Sequence, residues 1–220
     1  MIPTPPHLSP SSLFTLIDYS GVVVGALGGA LAARRDTKFN FDYVGVLGLG
    51  LISGVGGGIA RDVLIQNGLP LALENPHYLY LALSGALLGL LFGSSMGVRM
   101  RRTMLVVDAL GLGFFAIAGA TRAQDAGLGI LPCLLLGVMT AVGGGSLRDV
   151  FSGRTPRVFE RGEPYATAAG LSALLFLLML HFGVPASVAT PIGIVAGFLM
   201  RVLGVHFGWR TRAVREQTEA

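Results

Sequence analysis

Apolar residues in this chain do not alternate with polar ones, nor do they mark one face of a helix; they run together. Seven mostly apolar stretches stand at 13–33, 43–66, 78–98, 103–121, 128–151, 165–183 and 187–206. The segments between them read RRDTKFNFD, NGLPLALENPH, RMRR, TRAQDAG, SGRTPRVFERGEP and HFGVPAS. A helix that is apolar all round belongs in a large core or in lipid. About 20 such residues suffice to cross a bilayer. The pattern predicts an all-α integral membrane protein with seven transmembrane helices, preceded by a tail over 1–12 and followed by a basic tail over 207–220.

Composition agrees. Charged residues make up 13% of the chain, about half the usual 25% of a soluble domain. That is too little charge to clothe a water-soluble globule of which 52% is hydrophobic. The opening MIPTPPHLSPSS has no Lys or Arg, so it lacks the basic start of a signal peptide, and the first helix is expected to be retained. The single cysteine, Cys133, lies in an apolar run and cannot close an intramolecular disulfide; it reads as a small core residue.

The formal charge of +4 is unevenly spread. One set of connections and the C-terminal tail carry Arg34, Arg35, Lys38, Arg99, Arg101, Arg102, Arg154, Arg157, Arg161, Arg210, Arg212 and Arg215. The other set holds only Arg122, read with Asp125 as a loop residue. Cytoplasmic loops collect Lys and Arg, which predicts a prokaryotic plasma (inner) membrane protein with its N-terminus outside and its C-terminus in the cytoplasm. The basic face is then expected to meet anionic lipid head groups, and no nucleic-acid partner is needed to explain the charge. Tyr78, Tyr80, Tyr165 and Trp209 fall near stretch ends, where aromatic belts form.

The chain repeats itself. GVGGGIARDV at 54–63 returns as AVGGGSLRDV at 141–150, 87 residues later. The same offset aligns YLYLALSGALLGLL (78–91) with YATAAGLSALLFLL (165–178), and an offset of 90 pairs Asp18 with Asp108. The copies span 13–98 and 103–183, three helices each, leaving 187–206 as a seventh helix. Because three is odd, the second copy must enter the membrane from the opposite side, giving an inverted repeat about an axis in the membrane plane. Asp18, Arg61 and Asp62 should then form a charged layer toward one surface, and Asp108, Arg148 and Asp149 a matching layer toward the other. The two glycine triplets fall between the layers.

A phosphate loop does not fit these triplets. No Lys follows either one, as a Walker loop requires, and Ile59 occupies the last glycine position of a dinucleotide fingerprint. In a membrane helix the triplets Gly56, Gly57, Gly58 and Gly143, Gly144, Gly145 have two readings. They can let helices approach closely. They can also unwind, baring carbonyls that join the hydroxyls of Ser53, Thr140 and Ser146 around a cation in a wet path. The charged layers likewise read as structural ion pairs, Asp18 with Arg61 and Asp108 with Arg148, or as the mouths of a pathway. His7, His77, His181 and His206 do not cluster at metal spacing, so no metal site is expected beyond a permeating monovalent cation. No catalytic constellation appears, so an enzyme is not expected.

Two copies of G-G-G-x-x-R-D-V, the YATAA opening of the sixth helix and a closing seventh helix resemble prokaryotic members of the trimeric intracellular cation channel family, also known as glycine-transporter-domain proteins. The resemblance covers roughly 14–206. It implies a homotrimer of seven-helix subunits, each with an hourglass pore between its two repeats that conducts monovalent cations, chiefly potassium. It places glycine-kinked helices on Gly56–Gly58 and Gly143–Gly145 and their charged positions on Arg61, Asp62, Arg148 and Asp149. No catalytic cofactor is implied, while K+ or Na+ and lipid are the ligands that fit. A carrier for a small amino acid such as glycine remains the competing reading, with a structural membrane scaffold third.

Overall fold

The computed structural model describes residues 12–92, 100–160, 162 and 164–210, with the side chains of Met100 and Arg101 left aside. The N-terminal tail with His7, the end of the third apolar stretch, Arg99, Arg161, Arg212 and Arg215 lie outside the described residues.

The described chain is helical: α1 (Ser12–Arg34), α2 (Tyr43–Ile65), a short α3 (Leu71–Glu74), α4 (His77–Phe92), α5 (Met100–Asp125), α6 (Ile130–Phe151), a 3-10 turn (Arg157–Phe159), α7 (Ala166–His181) and α8 (Ala186–His206). Backbone groups in lipid have no water to bond, so apolar segments satisfy themselves by coiling, even where they are rich in glycine. Polar residues at the ends set the boundaries. The Asp42 carboxylate caps α2 by accepting from the Gly45 N–H at 2.7 Å. Gln66, in the left-handed region at φ 55°, stops it.

Five helices (α1, α2, α5, α6 and α8) are long and apolar enough to cross a membrane. The described part of α4 and the whole of α7 have 16 residues each, about 24 Å at 1.5 Å per residue.

Two three-helix units pack against each other. In the first, α1 contacts α2 and α4; in the second, α5 contacts α6 and α7; α2 meets α6 and α1 meets α5 between them, and α8 lies on α5 and α7. The cores of both units are rich in alanine and glycine. Ala26, Ala30, Ala82 and Ala86 have no exposed surface in the first unit, and their repeat mates Ala116, Ala120, Ala169 and Ala173 have none in the second. Lipid tails are as apolar as leucine, so membrane helices associate through close packing of small residues rather than by hiding large ones. Many large apolar side chains point outward, Leu131 at 75% exposure and Leu91 and Phe151 at 65% each, while Leu31, Leu112, Ile117 and Phe176 fill the interior.

Candidate functional site: a glycine crossing between two charged layers

The repeats touch where α2 crosses α6. A Cβ placed on Gly57 would collide with the Thr140 carbonyl oxygen and sit 3.0 Å from the Gly144 nitrogen. One placed on Gly144 would collide with the Ser53 carbonyl oxygen. Each triplet thus gives its middle glycine to a backbone-to-backbone contact between the two repeats. Both helices run through their triplets as single α-helices. Of the two readings of the triplets, close helix approach is the one this geometry fits: backbone from the partner helix packs against Gly57 and Gly144 while each triplet stays within its α-helix. Gly56 and Gly143 flank the contact, Gly56 against Leu147 and Gly143 against the Gly57 Cα at 3.2 Å. Gly58 and Gly145 turn toward the charged layers, near Arg61 and Tyr165. Ser53 and Thr140 are buried beside the crossing. The Thr140 hydroxyl donates to the Leu136 carbonyl of its own helix at 2.6 Å. Ser146 is half-buried.

The first charged layer closes around Arg61, which is 2% exposed. Its Nε donates to Asp62 Oδ1 at 2.8 Å, and its Nη1 lies 3.8 Å from Asp18 Oδ1. The Tyr78 hydroxyl donates to the other Asp18 oxygen at 2.7 Å. Asp62 Oδ2 accepts the Leu71 N–H at 2.9 Å and so fastens α3 over this end. A cation from the other repeat joins: Arg122 Nε is 3.8 Å from Asp62 Oδ1 with 17% of its side chain exposed. Arg122 is therefore not a loop residue, because α5 continues to Asp125.

The second layer follows a related plan in which the tyrosine and backbone bonds are longer. Arg148 Nη2 and Nε donate to Asp149 Oδ1 at 2.7 and 3.0 Å. The Tyr165 hydroxyl donates to Asp108 at 3.3 Å, and Asp149 Oδ2 accepts the Arg157 N–H at 3.4 Å. Adjacent Arg and Asp thus pair directly in both layers. Asp108 finds its ion-pair partner in α8, where Arg201 Nε stands 3.7 Å from Asp108 Oδ2 and its guanidinium lies over the Tyr165 ring. Arg201 escaped the sequence reading, although an arginine inside an apolar span is itself a signal, since a charge at that depth needs a partner.

The two ends differ in space. Beside the first layer, Asp18, Gly58, Arg61, Asp62, Tyr78 and Phe115 enclose only about 10 Å³, room for at most one water. Beside the second layer a cavity of about 420 Å³ opens between the repeats, lined by Arg35, Arg102, Asp108, Arg148, Arg157 and Arg201 among others. A neighbouring cavity of about 370 Å³ shares Arg35, Arg148 and Arg157 and reaches Asp36, Asp149 and Arg154. Among the described residues, no group of three or more His, Cys, Asp or Glu could hold a metal ion. The site offers a roomy, charged vestibule at one end, a tightly filled charge cluster at the other, and close helix contact between them.

The glycine transporter family model matches residues 15–94 and 105–181, one match on each repeat. A UPF0126 membrane protein of Deinococcus radiodurans is 39% identical over 201 residues, 90% of this chain and 88% of the relative. The UPF0126 inner membrane protein YadS of Escherichia coli K12 is 33% identical over 87% of this chain and 91% of its own. The crystal structure of the TRIC trimeric intracellular cation channel orthologue from Rhodobacter sphaeroides superposes with a TM-score of 0.82 at 36% identity, covering 90% of this chain and all of that one.

Proposed function

The chain belongs to the glycine transporter family, which takes in the prokaryotic trimeric intracellular cation channels, and on that premise we propose that it forms a monovalent cation channel, chiefly for potassium, with one pore per subunit between the two repeats. It is a multi-pass membrane protein of the kind found in the bacterial inner membrane. In this reading α1, α2, α4, α5, α6, α7 and α8 are the seven spans, three subunits assemble as a homotrimer, and the Arg-rich end faces the cytoplasm and its anionic head groups, with the N-terminus outside. The similarity to a trimeric cation channel supports the assembly, and the one-sided spread of Lys and Arg along the chain supports the orientation.

The observation that carries the reading is the unequal filling of two equivalent layers. The second layer opens into a cavity of about 420 Å³, while its repeat mate encloses about 10 Å³. A path built on an inverted repeat and shut at one layer has the form of a closed pore. Gly57 and Gly144 hold the repeats at the midplane, and Asp18, Arg61, Asp62, Asp108, Arg148 and Asp149 line its two approaches. Purified protein in a planar bilayer is expected to give unitary currents that reverse near the potassium equilibrium potential; no cation-selective current would sink the channel reading.

The family model's description favours a second reading, a carrier for glycine. Inverted repeats closed at one side and open at the other also suit alternating access. Saturable glycine uptake into vesicles without ionic current would establish it.

A further inference from the structure

The second end carries more positive charge than its ion pairs consume. Three carboxylates line the two cavities there and each has a cation: Asp149 is paired with Arg148, Asp108 with Arg201, and Asp36 with Arg154 at 2.8 Å. Arg35, Arg102 and Arg157 also line the cavity of about 420 Å³. They are exposed, and among the described residues no carboxylate lies within ion-pair distance of them. Among the described residues the Arg35 guanidinium reaches the Met104 sulfur, at 3.9 Å. At the first end the buried cluster balances, with Asp18 and Asp62 against Arg61 and Arg122, and Glu74 and Asp125 add negative charge there. The pathway is thus symmetric in fold and asymmetric in charge.

We propose that Arg35, Arg102 and Arg157 form a positive ring that sets the direction and valence preference of the pore. The inference rests on the channel reading above. A mouth lined by one sign of charge changes the local concentration of the ions that enter it. Cations inside the cavity are depleted, so current that starts from the cavity side is smaller than current that arrives there. Depletion grows exponentially with valence. A potential that lowers K+ about threefold lowers a dication about ninefold. Divalent cations on the cavity side are therefore kept from the narrow part, and K+ passes without being blocked by them. Cation over anion selection belongs to the passage beyond the ring.

Salt provides the control. The Debye length is about 10 Å at 0.1 M and about 3 Å at 1 M. In symmetric 50 mM KCl, with sidedness fixed by an epitope placed after Ala220, the wild-type current leaving the cavity side is expected to be about 2- to 3-fold smaller than the opposite current. The ratio should approach one at 1 M. The triple variant Arg35→Gln, Arg102→Gln, Arg157→Gln should lose the rectification at 50 mM and be blocked by Mg2+ on the cavity side at several-fold lower concentration. Rectification that persists at 1 M or survives in the variant overturns the proposal. A second measurement needs no current. With Leu105→Cys, which lines the cavity, an anionic methanethiosulfonate should react several-fold faster than a cationic one, and the triple variant should abolish that preference. Equal rates in both backgrounds reject the ring even if the protein conducts. A wild type silent in bilayers would sink the channel reading, while the reagent ratio still decides the ring.

Discussion

Within each glycine triplet the three positions meet different surroundings, so they are not interchangeable. A Cβ on Gly57 strikes backbone from α6, which cannot give way without moving a helix, whereas one on Gly58 meets nothing nearer than an Arg61 nitrogen at 3.7 Å. Gly57→Ala is expected to cost about 1–3 kcal/mol through overpacking, and Gly58→Ala to be neutral or to gain up to about 1 kcal/mol of helix propensity. Thermal unfolding in detergent separates the two, and equal effects would refute the close-crossing role. The tyrosines of the two layers make a second contrast. Tyr78→Phe removes a 2.7 Å bond to buried Asp18, a loss of about 1.5–3 kcal/mol for a bond to a charged group. Tyr165→Phe removes one of 3.3 Å and should cost less. The sequence paired these tyrosines by position. The difference between them depends on how α4 and α7 are held, which no alignment of the two repeats contains.

At the scale of elements, the short segments after α2 and α6 act as covers, each held by the aspartate of its own motif. Asp62 grips the N–H of Leu71 at 2.9 Å and seats α3 so firmly that Ala72 is 5% exposed. Asp149 holds the N–H of Arg157 at 3.4 Å, and the 3-10 turn there buries no residue. The closed end has the tight cover and the open end the loose one. Asp62→Ala should release α3. In an Ala72→Cys background, a water-soluble thiol reagent should then label position 72 at least several-fold faster than when Asp62 is present. Unchanged labelling would mean that helix packing, not this aspartate, shuts the first end. Both covers fall in stretches read from the sequence only as breaks between spans. Neither α3 nor the 3-10 turn has a hydrophobic period long enough to announce itself.

Across the whole molecule, ties between the repeats fix the relative placement of the two units. Asp36 follows α1 and Arg154 follows α6, so their 2.8 Å ion pair links the first repeat to the second. Burial pushes the Asp36 carboxyl up, but the N–H groups of Phe39 and Lys38 and the Arg154 guanidinium together hold it below its ordinary range. A carboxyl with a depressed folded-state pKa lends stability above its unfolded pKa of about 3.9 and loses it as pH falls through the lower folded value. Asp36→Asn should lower the unfolding midpoint at neutral pH, and the gap from wild type should close on acidification below about pH 4; a gap independent of pH would assign the effect to packing. The sequence by itself determined that the chain is helical and membrane-embedded, that it is built twice over, and which residues form the motif. Apolar run length, charge distribution and an internal offset of 87 residues are properties of the linear chain. Only the tertiary structure decided what the glycines do, because a triplet that can kink and one that can pack look the same until a partner helix arrives. It also decided that Asp108 pairs with Arg201 from outside the repeat, that Arg122 crosses to Asp62, and that one of two like layers is open and the other shut. Those outcomes depend on distances between segments far apart in the chain, where an inverted repeat makes the ends equivalent in sequence and leaves packing to make them different.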